Sequence, residues 1–139
     1  MQRRGALLPV TRKLKVLIVD DDPTTLLIAE ARLQSAGHRV STRDRAFGTS
    51  AAVLREKPDV VLLDIRMPGL PGDELGELLS SHGTAVILYS GEDEDLLKQH
   101  AQSCGSIGYI CKSDSSEDFL QEFARLSAAI AEQHTTDIG

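Results

Sequence analysis

Long apolar runs are missing from this chain. Nothing in it approaches the roughly 18 to 20 residues that a membrane-spanning helix needs. The longest strongly apolar stretches, Val60-Val61-Leu62-Leu63 and Ala85-Val86-Ile87-Leu88, are strand-sized. The segment Met1 to Val10 carries Arg3 and Arg4 but lacks the apolar centre of a secretory signal, so export is not expected. Cysteine is scarce. Cys104 and Cys111 cannot build a disulfide framework; they suit a reducing cytoplasm and read as small core residues. Basic residues are outnumbered, 15 Lys+Arg against 21 Asp+Glu, for a net charge of −6. Phosphate contacts need clustered Lys and Arg, so a nucleic-acid-binding surface is not expected. His38, His82, His100 and His134 show no metal-ligand spacing and read as surface residues. There is no repeat at a fixed period and no low-complexity tract.

What remains is the composition of one ordinary globular domain. The chain has 139 residues, 41% of them hydrophobic and 26% charged. Strand-like and helix-like segments alternate five times. Lys15 to Val19, Val60 to Leu63 and Ala85 to Tyr89 are apolar runs typical of strands buried on both faces. Val40 to Thr42 and Tyr109 to Cys111 are weaker strands. Asp22 and Pro23 form a helix start, with Leu26, Ala29, Leu33 and Ala36 on one face and Gly37 at the end. Further helices are predicted over Thr49 to Lys57, Glu74 to Ser81 and Asp93 to Ser103, and from near Ser116. The last packs through Phe119, Phe123, Leu126 and Ile130. The acidic run Glu92 to Asp95 reads as an electronegative first helical turn. Residues 1–13 form an N-terminal extension, 14–131 the domain and 132–139 a tail.

Such alternation implies an α/β fold, a doubly wound parallel sheet with helices on both faces. Ligands of these sheets sit beyond the carboxyl ends of the strands. Those ends carry Asp20 and Asp21, Asp64, Ser90 and Lys112. Three carboxylates at one edge repel unless a cation is present, and hard oxygen ligands point to Mg²⁺, or Mn²⁺ in its place. A lysine and a hydroxyl beside that cation can hold a phosphoryl group. The chemistry that combines them is phosphoryl transfer to a carboxylate.

Four pieces in order are Val-Leu-Ile-Val-Asp20-Asp21, Leu-Leu-Asp64-Ile-Arg-Met67-Pro68-Gly69, Leu-Tyr-Ser90-Gly91 and Gly108-Tyr109-Ile-Cys-Lys112. With them the chain, over about residues 14 to 131, resembles the receiver domain of bacterial two-component response regulators, the single-domain chemotaxis regulators included. The resemblance implies a flavodoxin-like five-stranded sheet of order 2-1-3-4-5. It makes Asp64 the phosphoacceptor, with Asp20, Asp21, Asp64 and the backbone carbonyl of Arg66 as Mg²⁺ ligands, Asp20 through a water. Ser90 and Lys112 would bind the phosphoryl group, and Tyr109 would be the aromatic switch. The implied partners are a sensor histidine kinase or phosphotransfer protein and an unnamed downstream protein, in the cytoplasm of a bacterium. The expected assembly is a monomer, or a dimer formed on phosphorylation. No output domain is expected, so signalling would run through protein contacts.

Two positions depart from the family pattern. Ser113 replaces the proline that usually follows the lysine, so a trans bond and a reshaped loop are expected. Asp22 reads as a helix cap rather than a metal ligand. Competing readings stay open. Asp20-Asp21-Asp22-Pro23-Thr24 also fits the nucleophile motif of haloacid-dehalogenase-type phosphatases, with Asp20 as nucleophile and Asp22 as general acid. A binding-only pseudo-receiver and a flavodoxin-type carrier are weaker. The intact acid set speaks against the first, and the absence of a phosphate loop after the first strand against the second.

Overall fold

The computed structural model describes residues 13–67 and 72–138, and the side chains of all these but 72, 73 and 131–138. The N-terminal extension up to residue 12, with Arg3, Arg4 and Arg12, lies outside the described residues, as do Pro68 and Gly69 of the motif that follows Asp64. Ten elements alternate in chain order: β1 (Lys15–Val19), α1 (Pro23–Ser35), β2 (Arg39–Arg43), α2 (Thr49–Glu56), β3 (Val60–Leu63), α3 (Gly72–Ser81), β4 (Ala85–Ser90), α4 (Glu94–Cys104), β5 (Gly108–Cys111) and α5 (Ser116–Ile138). All strand pairs are parallel, in the order β2-β1-β3-β4-β5. This is the predicted order 2-1-3-4-5.

Strand periodicity divides the core into two layers. Leu17, Val19, Val61, Leu63, Val86 and Leu88 face Val53 of α2, Leu75 and Leu79 of α3, and Leu97, Ala101 and Cys104 of α4. The alternate residues Val16, Ile18, Leu62, Ile87 and Ile110 face Ala29 and Leu33 of α1 and Phe119, Phe123, Leu126 and Ile130 of α5. The central strands β1, β3 and β4 serve both layers and are apolar almost throughout. The edge strand β2 is half-exposed and polar, which explains its weak sequence signal.

Helix ends follow local chemistry. The Asp22 carboxylate accepts from the Thr24 N–H at 3.0 Å and the Thr25 hydroxyl at 2.9 Å, capping α1 behind Pro23. Asp93 caps α4 in the same way, so the helix itself starts at Glu94 and ends at Cys104 before the left-handed Gly105. Lys57 closes α2 with φ of 52°, ahead of Pro58. The backbone of α5 runs to Ile138, past the point where a tail is expected, because no glycine or proline interrupts it.

His38 is not on the surface. It is buried at the α1–β2 junction, where its Nδ1 accepts the Leu14 N–H at 3.0 Å and its ring meets Phe123 edge-on at 5.1 Å. Burial, aided by the Lys13 charge, lowers its pKa. A histidine between a glycine and an arginine gives no periodic hint of such a role.

Gly108 lets α5 lie close against β5. A Cβ there would stand 2.5 Å and 2.9 Å from the two methyl carbons of Leu126. Gly108→Ala should therefore lower unfolding free energy by about 1–3 kcal/mol in urea denaturation. Added to Leu126→Ala, which vacates the space, it should cost much less. Equal costs in the two backgrounds would refute the overlap.

Candidate functional site

Parallel strands all end at one edge, and the register decides which end residues become neighbours. Val19 of β1 pairs with Leu63 of β3, so Asp20 and Asp64 stand side by side one row further on. Both are locked by backbone bonds. The Asp20 N–H donates to Arg43 O at 3.1 Å, and the Asp64 N–H to Val19 O at 2.9 Å. Ser90 pairs with Cys111, and the Lys112 N–H donates to Ser90 O at 2.9 Å, which brings the lysine to the same edge. The peptide bond after Lys112 is trans, as expected with Ser113 there.

Carboxylate oxygens of Asp20, Asp21 and Asp64 lie within 4.8 Å of one another. Asp20 and Asp64 are buried, whereas Asp21 is exposed and opens the cluster to solvent. The Lys112 ammonium reaches between the buried pair, 2.8 Å from Asp20 Oδ2 and 3.5 Å from Asp64 Oδ2. Backbone N–H groups take the remaining sides: that of Asp22 donates to Asp20 Oδ1 at 2.9 Å, and that of Arg66 to Asp64 Oδ1 at 3.0 Å. Burial pushes the Asp64 carboxyl up to about 6; the Arg66 N–H opposes the rise, the Asp20 charge adds to it and Lys112 opposes it. Burial works against the Lys112 ammonium too, but bonding to Asp20 and the charges of Asp64 and Asp20 outweigh it, and its pKa is raised.

When ionised, the three carboxylates exceed the one ammonium by two negative charges. A divalent cation with hard-oxygen preference matches both that imbalance and the donor set. The residues present therefore fit Mg²⁺.

The remaining site residues are less tightly gathered. Ser90 is buried at the end of β4, and its Oγ accepts the Glu92 N–H at 3.2 Å. It does not cap α4, a role Asp93 takes. Tyr109 points away from the acids: its ring packs beside the core layer of α4, and its hydroxyl donates to Glu94 Oε2 at 3.0 Å. Both cysteines pack into that layer, Cys104 buried and Cys111 at its margin.

Two residues gain roles that the sequence conceals. Glu92 is not part of the first turn of α4. Its side chain, 9% exposed, folds back to pair with Arg66 Nε at 2.8 Å and with His100 Nε2 at 3.6 Å. Only the hydrogen-bonding register of the β4–α4 loop sets Glu92 apart from Glu94 and Asp95. Arg32, an ordinary helix-end arginine in the sequence, places its guanidinium 5.3 Å from the Phe119 ring centroid.

Residues 16–124 match the model of the response regulator receiver domain. PilH of Pseudomonas aeruginosa is 33% identical over 111 residues, covering 77% of this chain and 92% of PilH. The transcriptional regulatory protein KdpE of Mycobacterium tuberculosis is 34% identical over 116 residues, covering 83% of this chain and 50% of KdpE. This chain thus spans about half the length of that relative. Among solved structures, the chemotaxis response regulator CheY4 of Vibrio cholerae superposes with a TM-score of 0.75 at 25% identity, covering 83% of this chain and 99% of that one. These relatives do not favour the phosphatase, pseudo-receiver or carrier readings. The chain belongs to the response regulator receiver domain family, the phosphorylation-dependent switches of two-component signalling.

Proposed function

We propose that Asp64 is the phosphoacceptor of this switch, that Asp20, Asp21, Asp64 and the Arg66 backbone carbonyl hold Mg²⁺, and that Ser90 and Lys112 bind the phosphoryl group. One observation carries the reading: three carboxylates within 4.8 Å, with one lysine reaching between the two that are buried. Asp64 is the acid best suited to become an acyl phosphate. It is buried, its pKa is raised to about 6, and it holds the weaker of the two lysine contacts. Asp20 holds the tighter one and is an anchor for the lysine, which argues against the phosphatase assignment.

In the transfer, a carboxylate oxygen of Asp64 attacks the phosphorus of a phosphohistidine on a sensor kinase or phosphotransfer protein. The P–N bond breaks, and its electron pair leaves with the imidazole nitrogen. Mg²⁺, when bound, supplies positive charge against the phosphoryl oxygens; Mn²⁺ suits the same donors. Lys112 turns from the Asp64 oxygen to a phosphoryl oxygen, keeping its contact with Asp20. Ser90 offers its hydroxyl hydrogen to another. The Arg66 N–H already bonds to Asp64 Oδ1 at 3.0 Å, and in this reading its backbone carbonyl would add a further oxygen donor for the cation.

Closure of the Ser90 loop would release the Tyr109 hydroxyl from Glu94 and turn the ring inward. The face of α4, β5 and α5 then changes its affinity for a downstream protein. Among the described residues no helix is long and apolar enough to cross a membrane. Action in the bacterial cytoplasm, where kinase and donor meet the chain, accords with that.

Incubation with acetyl phosphate and Mg²⁺ should add one phosphoryl group to the wild type by intact-mass spectrometry and none to Asp64→Asn. A label that survives Asp64→Asn but is lost in Asp20→Asn would overturn the assignment.

Stability should respond to pH with a definite sign. The Asp64 pKa lies above its usual 3.8, so its ionisation weakens the folded state. Its contribution is complete below about pH 4 and is lost as pH rises through about 6. Asp64→Asn in cation-free buffer should therefore raise the unfolding free energy by about 1–3 kcal/mol at pH 7.5 and by little at pH 4. Mg²⁺ should stabilise the wild type at pH 7.5 more than the variant. A gain independent of pH would contradict this account.

A further inference from the structure

The turn that carries Lys112 is fixed at its start by the Lys112 N–H bond to Ser90 O at 2.9 Å. Lys112, Ser113, Asp114 and Ser115 include no residue of fixed φ, and within the turn the Asp114 N–H donates to Cys111 O at 3.1 Å. Further support arrives from α1. Arg32 Nη1 donates to the Asp114 carbonyl at 3.5 Å, two residues beyond Lys112. The same guanidinium lies 5.3 Å from the centroid of Phe119, in the first turns of α5. Phe119 meets Tyr89 edge-on at 5.4 Å, and the Lys112 ammonium stands 6.0 Å from the Tyr89 ring centroid. Two routes therefore lead from Arg32 to Lys112, one along the backbone of the turn and one through two aromatic rings.

We propose that Arg32 is a positioning residue for phosphoryl capture: it pins the β5–α5 turn so that the Lys112 ammonium stands between Asp20 and Asp64. The inference rests on the reading of Lys112 as the phosphoryl-binding cation. A basic residue in the last turn of a helix is also favoured by the helix dipole. That role needs only charge near the helix end, and it acts on stability alone. The positioning role needs a planar cation that both covers a ring and reaches a carbonyl, and it acts on what Lys112 binds.

The test uses the full chain with Mg²⁺ and beryllofluoride, a phosphoryl mimic, titrated by calorimetry. Bound-fluorine NMR spectra and thermal melting are recorded in parallel for the wild type, Lys112→Ala, Arg32→Met, Arg32→Gln and Arg32→Lys. Methionine keeps the apolar stem of the half-buried arginine, and glutamine is a second truncation if methionine impairs folding. Arg32→Met should bind beryllofluoride about threefold to tenfold more weakly, the size expected for one lost cation–π contact and one weak hydrogen bond. Its bound-fluorine resonances should shift, while half-saturation by Mg²⁺ alone stays within about twofold of the wild type. Arg32→Lys, whose compact ammonium cannot both cover the ring and reach the carbonyl, should recover only part of the affinity. Wild-type affinity and spectra in Arg32→Met and Arg32→Gln, with Lys112→Ala weakened, would overturn the proposal and leave Arg32 a helix-end charge. Unchanged binding in Lys112→Ala would instead overturn the reading of Lys112, and the proposal with it.

Discussion

The structure turns on one ion pair, Lys112 with Asp20, set 2.8 Å apart where the sheet ends. Asp20 is buried, and burying a carboxylate is tolerable only when opposite charge and N–H donors surround it. The lysine and the Asp22 N–H meet that need. Such a pair is a poor source of net stability, because desolvating both charges offsets most of their attraction. What it provides is position. With the ammonium tied to Asp20, it also faces Asp64, a carboxylate whose charge is disfavoured by burial.

That difference between two neighbouring aspartates comes from geometry rather than residue type. Both follow apolar strands and both are buried, yet their contacts to the lysine differ by 0.7 Å, 2.8 against 3.5 Å. Asp64 carries the cost of burial and of the Asp20 charge together, which is why its pKa rises to about 6. A cation beside Asp64 would relieve that strain, and a phosphoryl group on Asp64, with about two negative charges of its own, would need one more. In the proposed reading, metal binding and phosphorylation would both act on this charge imbalance, the cation lowering it and the phosphoryl group raising it.

Much of this was legible in the sequence. Apolar runs ending in Asp20, Asp64 and Ser90 are visible because parallel strands buried on both faces leave no alternation to confuse the reading, whereas the edge strand before Lys112 is half-buried and weaker. The helix caps at Asp22 and the packing stripe from Phe119 to Ile130 follow rules of spacing that act over a few residues. The contacts that escaped depend on groups far apart in the chain. Glu92 looks like its acidic neighbours until the loop turns it toward Arg66 and His100. His38 looks like a surface residue until Leu14 and Phe123 close around it. The outward ring of Tyr109, held by Glu94, is a matter of rotamer that no sequence pattern specifies.

The two loops beside the acids are joined by a charge pair whose members differ sharply in exposure, with the Arg66 side chain at 71% and that of Glu92 at 9%. An exposed guanidinium contributes little to folding through such a pair, since solvent screens it and its side-chain entropy opposes it. Glu92 has more to lose, because its carboxylate is drawn into the protein and needs the positive partner. Loss of the Arg66 contact would leave the Glu92 carboxylate with His100, whose Nε2 stands 3.6 Å away. The β3–α3 and β4–α4 loops are therefore coupled loosely, not locked. A switch needs that balance: the contacts at Arg66 and at the Tyr109 hydroxyl are exposed, while the Asp20–Lys112 pair, with its carboxylate buried, fixes position.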